Sequence, residues 1–345
     1  MTKTGVSSII ANGTKVWLDS VDPDLIKVAI ASGSTGATSN PIIITDLIKT
    51  GRFDASIEAS KSKMSAEELA WSLTNELVTA AESSYRHIWE RTSGDDGYVS
   101  FELDPLIEDP SRGLSVAEGA KQYVELAKKW SVDHPNRLIK VPATPSGIAS
   151  LEDMVAAGIN VNVTLIFTPR QYTACRDAVW AGAQKRSDLS HFKSVYSIFV
   201  SRVDVYTKKH VSELTAAAQG QVALLNAKQI WQCNTDFWKI HPTPLKQEMV
   251  FASTGTKDPS LDADFYVASL VGSDIQTNPP TTNAAVESAA KTYHVTIDQL
   301  PSAAIQSEVA EKVDLEKLET VLMEEGLAKF CVPQQELLAL ISSRV

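Results

Sequence analysis

Cysteine is scarce in this chain: Cys175, Cys233 and Cys331 are the only three in 345 residues. They are far apart, form no CxxC pair and are odd in number. Neither a disulfide framework nor a cysteine metal site is expected, and free thiols in a reducing cytoplasm fit best. Positive charge is also in short supply, with 32 lysines and arginines against 42 aspartates and glutamates and a net charge of -10. No basic cluster offsets that balance, so no nucleic-acid partner is expected. No apolar run is long enough to span a bilayer, so no membrane association is expected. The start, Met1-Thr2-Lys3-Thr4-Gly5, leads into an apolar patch too short for a signal sequence. Glycine fingerprints of nucleotide binding are missing, since Gly33-Ser34-Thr35-Gly36 matches neither the dinucleotide nor the P-loop pattern. There is no linker, low-complexity tract or fixed-period repeat.

What the chain has is a series of short apolar runs, each followed by a helical pattern. The runs are Val16–Asp19, Gly36–Asn40, Tyr98–Leu103, Leu138–Val141, Ile159–Phe167, Ser194–Val200, Met249–Ser253 and Leu270–Gln276. The histidines (His87, His134, His191, His210, His241 and His294) end none of these runs, and none is assigned a catalytic role. Capping boxes at Ser65–Glu68 and Ser115–Glu118 open two of the helices. Ser146, Thr168-Pro169 and Thr282 are read as further helix starts, and Gly326 as a stop in the last helix. Strand and helix alternating eight times predicts one α/β domain over residues 1–345, a (β/α)8 TIM barrel. Residues 298–345 are expected to form a C-terminal helical extension packed on it. A doubly wound open sheet is the alternative, and it lacks its nucleotide fingerprint.

In such a barrel the chemistry sits at the carboxyl ends of the strands. The polar residues there are Asp19, Asn40, Glu102, Lys140, Asn162, Thr164, Ser197, Arg202, Ser253 and Lys257. Lys140 lies in the middle of Leu138-Ile139-Lys140-Val141-Pro142, so alternation puts it on one face with Leu138 and Pro142. A buried amine that can lose its proton is what Schiff-base chemistry with a ketone requires. Carboxylates would then move protons, amides and hydroxyls would hold a polyol, and cations would hold a phosphate. Each residue also has an ordinary structural reading. Asp19 or Asn40 could cap a helix, Glu102 could pair with Arg137, Asn162 and Thr164 could bond each other, and Arg202 could pair with Asp204. Their convergence on one barrel mouth favours the chemical reading.

Gly36-Ala37-Thr38-Ser39-Asn40-Pro41, Leu138–Thr144, Asn160–Phe167 and Ser197–Asp204 occur in an order that resembles transaldolase. Val16–Asp19, Val99–Glu102 and Phe251–Pro259 also fit, the last being similar to the longer bacterial and plant-type branch. The resemblance runs from about Val16 to Phe330. It implies a class I aldolase barrel that transfers a dihydroxyacetone unit from a ketose phosphate to an aldose phosphate, with no metal or organic cofactor. It implies Lys140 as the Schiff-base lysine, Asp19 as acid/base at the donor C4 hydroxyl, and Glu102 with Thr164 around a catalytic water. Asn40, Asn162 and Ser197 would bind the dihydroxyacetone part, and Arg202, Ser253 and Lys257 the phosphate. In the aldolase branch of the family a tyrosine stands at the position of Phe199 and a glutamine at that of Glu102. Departures from the family pattern occur at Ile198, Gln229–Gln247 and Gln276-Thr277-Asn278. A cytoplasmic enzyme is implied, and a homodimer is allowed.

Overall fold

Eight parallel strands close into a barrel in sequence order in the computed structural model, which describes residues 3–344. They are β1 Lys15–Leu18, β2 Gly36–Thr38, β3 Val99–Glu102, β4 Arg137–Pro142, β5 Val161–Ile166, β6 Ser194–Phe199, β7 Glu248–Ala252 and β8 Ile275–Asn278. Met1 and Thr2, where the expected domain and the apolar start begin, lie outside the described residues, as does Val345. The expected TIM barrel is thus the observed architecture.

Side-chain alternation sorts each strand into two faces. Trp17, Leu138, Val195, Val250 and Ile275, with Tyr98, pack together as an apolar layer inside the barrel. Ile139 and Val141 face outward and join the larger core shared with the helices. A side chain of this kind, fully buried, stabilises the fold by about 1.5–3 kcal/mol. The indole of Trp17 fits because Gly36 has no side chain: a Cβ there would stand 2.6 Å from the ring. Further along the strands, the same inward parity delivers Asp19, Thr38, Glu102, Lys140, Asn162, Ser197, Ala252 and Thr277.

Helix starts reflect local chemistry. Both capping boxes form as expected, at Ser65–Glu68 and Ser115–Glu118. Ser146 is not the cap of its helix; Thr144 is, its hydroxyl accepting from the Gly147 N–H at 2.9 Å, because Pro145 takes the first helical position. Thr282 likewise lies inside a helix that Pro280 begins. The eighth strand sits later than the apolar run Leu270–Gln276 suggests. Leu270 and Val271 come after the short helix Phe265–Ser269 and pack outside the barrel, while the polar stretch Ile275–Asn278 pairs with β1 and β7. Apolarity misplaces that strand because its inward face carries Thr277 toward the mouth.

Gly326 does not stop a helix. It lies within the continuous C-terminal helix Leu315–Ser342, which also contains Pro333. Its missing side chain serves close approach: a Cβ would stand 3.0 Å from Leu165 and 3.5 Å from the Arg202 guanidinium. This helix packs against the helices Pro41–Lys49, Ala66–Arg91 and Ser201–His210. It therefore crosses the end of the barrel where the polar side chains gather.

Candidate active site

Strand register sets the centre of the site. Glu102 on β3 is paired with Lys140 on β4, Lys140 with Asn162 on β5, and Pro142 with Thr164. Lys140 is 5% exposed, and its Nζ donates to Glu102 Oε2 and to the Ser39 carbonyl, each at 3.0 Å. Two other lysines mark a contrast. Lys193 and Lys15 reach Glu248 at 2.6 Å and 3.0 Å near the amino ends of the strands. They belong to an ion cluster with Asp95 that closes the far end of the barrel. Of the three, Lys140 alone opens onto a cavity at the carboxyl ends.

That cavity holds about 270 Å³ and is lined by Asp19, Thr38, Asn40, Lys140, Thr164, Ser197, Phe199, Arg202, Ser253 and Lys257, among others. A larger crevice of about 410 Å³ lies outside the barrel, walled by apolar groups such as Val16, Leu18 and Val28. Its one charged group, Glu287, is engaged with the Val6 N–H, so that crevice offers no chemistry.

The carboxylates are held in different ways. Asp19 lies directly after β1 and accepts from the Thr38 hydroxyl at 2.8 Å, and Thr38 is within 2.8 Å of Thr277. Asp19 caps no helix, because Asp22 does that. Burial raises the Asp19 carboxyl above its ordinary range, with the Lys140 charge opposing. Burial likewise raises Glu102, again opposed by Lys140. Glu102 does not pair with Arg137, whose guanidinium is taken by Glu82, Asn75 and the Trp130 carbonyl. One Glu102 oxygen, Oε1, and the Thr164 hydroxyl are buried without a protein partner. Asn162 and Thr164 do not bond each other. Asn162 instead donates to Ser100 at 2.8 Å and accepts from Ser197 at 2.7 Å, which fixes its amide in the barrel wall.

Asn40 combines both readings offered for it. Its side-chain oxygen caps the helix Pro41–Lys49, accepting from Ile43 at 3.0 Å, while the residue lines the cavity. At the opposite rim Arg202 makes no pair with Asp204. Asp204 is buried behind it, accepting from Tyr266 and from the Ala223 N–H. The Arg202 guanidinium lies 4.9 Å from the Phe199 ring, with Nη1 buried and unpartnered. Burial lowers the proton affinity of Arg202, as expected of a cation without a bonded anion. Ser253 stands beside it in a left-handed conformation (φ 57°), within 2.9 Å of the Ser201 hydroxyl. Lys257 is exposed at the rim.

Three contributors escaped the sequence reading. Thr38 and Thr277 bracket Asp19, and Phe330 covers Lys140 from the C-terminal helix. Thr38 belongs to the motif Gly36–Pro41, whereas nothing local in the sequence marks Phe330. Among the described residues no cluster of three or more His, Cys, Asp or Glu side chains is arranged to hold a metal. No helix among them is long and apolar enough to cross a membrane.

Comparison with known proteins agrees with this geometry. Residues 16–341 match the profile of the family described as transaldolase/fructose-6-phosphate aldolase. The chain is 34% identical to "Transaldolase 2" of Streptomyces avermitilis, over 94% of this chain and 93% of that one. It is 32% identical to "Transaldolase" of Thermobifida fusca, over 96% of each. It is 33% identical to "Transaldolase" of Mycobacterium leprae, over 96% of this chain and 94% of that one. A closed barrel with an inward lysine at the carboxyl ends of its strands, matched along nearly its whole length, belongs to the transaldolase/fructose-6-phosphate aldolase family.

Proposed function

We propose that the protein is a transaldolase that moves a dihydroxyacetone unit between sugar phosphates through a Schiff base on Lys140. The donor is a ketose phosphate, fructose 6-phosphate or sedoheptulose 7-phosphate. The acceptor is an aldose phosphate, glyceraldehyde 3-phosphate or erythrose 4-phosphate, as in the pentose phosphate pathway. The observation that carries this reading is the placement of one buried lysine 3.0 Å from a buried carboxylate, in a cavity whose rim holds an unpartnered arginine.

Lys140 Nζ attacks the donor ketone and forms a carbinolamine. Glu102, through a water held with Thr164, protonates the departing hydroxide; a carboxyl raised by burial is suited to that task. Asp19 removes the proton from the C4 hydroxyl, and the bond between C3 and C4 breaks. Its electron pair flows into the iminium, leaving an enamine on Lys140 and releasing an aldose phosphate. The acceptor then enters and the steps run in reverse. Asn40, Asn162 and Ser197 hold the hydroxyls of the three-carbon unit. Arg202, Ser253 and Lys257 hold the phosphate, which stays with the aldehyde half in both directions. The reaction calls on no metal or organic cofactor. The same reading places the protein in the cytoplasm with sugar phosphates as its partners, and a homodimer is the assembly it allows.

A lyase of the same family, releasing free dihydroxyacetone, is the second reading. Phe199 and Glu102 favour transfer, because the aldolase branch has tyrosine and glutamine there. The test is incubation with fructose 6-phosphate, with and without erythrose 4-phosphate. Formation of sedoheptulose 7-phosphate with the acceptor supports the transferase. Equal turnover without any acceptor supports the lyase.

A further inference from the structure

Phe330 enters the site from the far end of the chain. Its ring centroid lies 5.3 Å from Lys140 Nζ, and the side chain is 4% exposed. It shares the cavity wall with Asp19, Thr164 and Arg202. The C-terminal helix is fixed on either side of it. Gly326, one turn earlier, lets the helix approach Leu165 and Arg202. Pro333, nearly one turn later, has no N–H for the Lys329 carbonyl, and the Pro333 carbonyl accepts from Thr45 at 3.1 Å. The ring is thus held over the nitrogen that carries the covalent intermediate.

Resting on the proposed Schiff base at Lys140, the geometry points to Phe330 as a specificity-determining residue that commits the enamine to transfer. After the C3–C4 bond breaks, C3 of the bound unit is nucleophilic and has two fates. It attacks the carbonyl carbon of an acceptor, forming a carbon–carbon bond while the aldehyde oxygen takes a proton. Alternatively, C3 takes a proton from water or a nearby acid. The resulting iminium then adds water at C2, and the C2–N bond breaks to release dihydroxyacetone and free Lys140. Water adds at C2 to free the product in either fate, so what sets the second apart is protonation at C3. A phenylalanine ring offers no proton and occupies space a water would otherwise fill. Excluding water from a reactive intermediate is a recognised way in which closed sites suppress side reactions.

The experiment compares wild type, Phe330→Leu and Phe330→Ala in two assays with fructose 6-phosphate. One measures dihydroxyacetone released without acceptor, and the other measures transfer to erythrose 4-phosphate. The ratio of release to transfer should rise about ten-fold or more in Phe330→Ala, and less in Phe330→Leu, which still fills the wall. A structural role alone would lower both rates together, so an unchanged ratio in both variants overturns the proposal. Should Phe330→Ala fail to fold, an unchanged ratio in Phe330→Leu, paired with Phe330→Tyr, which returns a proton donor to the wall, overturns it equally. Borohydride trapping of wild type with fructose 6-phosphate is run alongside. Absence of a trapped adduct there refutes the Schiff-base reading, and a trapped adduct with an unchanged ratio refutes only the role of Phe330.

Discussion

Lys140 Nζ and Glu102 Oε2 are 3.0 Å apart on neighbouring strands, while the second Glu102 oxygen is buried and has no protein partner. One carboxylate thus touches the nucleophile with one oxygen and keeps the other free for proton transfer. Glu102→Gln keeps the size and loses the proton. It should slow formation of the lysine adduct by about 10²–10⁴-fold, the usual span for general acid catalysis. Rapid quenching with borohydride at early times measures this directly. Adduct formation at the wild-type rate would remove Glu102 from that step.

Asp19 is held by Thr38, itself close to Thr277, and is not hydrogen-bonded to Lys140 or Glu102. Asp19→Asn should leave the adduct intact and block the cleavage of the C3–C4 bond. With fructose 6-phosphate, trapping should still yield adduct, while release of glyceraldehyde 3-phosphate falls by about 10²–10⁴-fold. Loss of both together would mean that Asp19 acts at the Schiff base and not at the C4 hydroxyl.

Arg202 stacks near Phe199 with one nitrogen buried and unsatisfied, so its guanidinium is presented to an anion at the rim. Arg202→Ala should cost about 2–4 kcal/mol in kcat/KM for phosphorylated donors, in line with truncating one member of a buried charged pair. Unphosphorylated donors should lose far less. Equal losses on both kinds of substrate would show that the arginine holds the fold and not the phosphate.

Asp204 and Asp274 lie outside the cavity, and burial pushes each up to about 6. Their folded-state values exceed the ordinary aspartate value, so the protonated forms favour the folded protein. The stability they confer is complete below about pH 4 and is lost as the pH rises through about 6. Asp204→Asn can keep both hydrogen bonds, with Tyr266 O–H turned to accept from the amide. Melting temperatures of this variant, relative to wild type, should therefore improve steadily between about pH 4 and pH 7. Parallel melting curves across that range would contradict the assignment.

The centre of the site was legible in the sequence because it rests on strand parity. Lys140, Glu102, Asn162 and Thr164 lie within or at the end of apolar runs, and alternation sorts them onto one face. The eighth strand was misplaced because it is polar: Ile275–Asn278 is held by pairing with β1 and β7, and no local apolar signal announces it. Gly326 was misread for a related reason. Helix-end glycines and close-packing glycines look alike in one dimension, and only the approach of Leu165 and Arg202 separates them. Phe330 was invisible, since its partner Lys140 is distant in the chain and no pattern links them.

The central claim is that Lys140 carries the substrate as a covalent imine. Borohydride reduction in the presence of fructose 6-phosphate, with peptide mass analysis of the product, tests it most directly. The account predicts a reduced three-carbon adduct on the peptide containing Lys140, and no adduct in Lys140→Met. An adduct on another lysine, or one that persists in Lys140→Met, would contradict it.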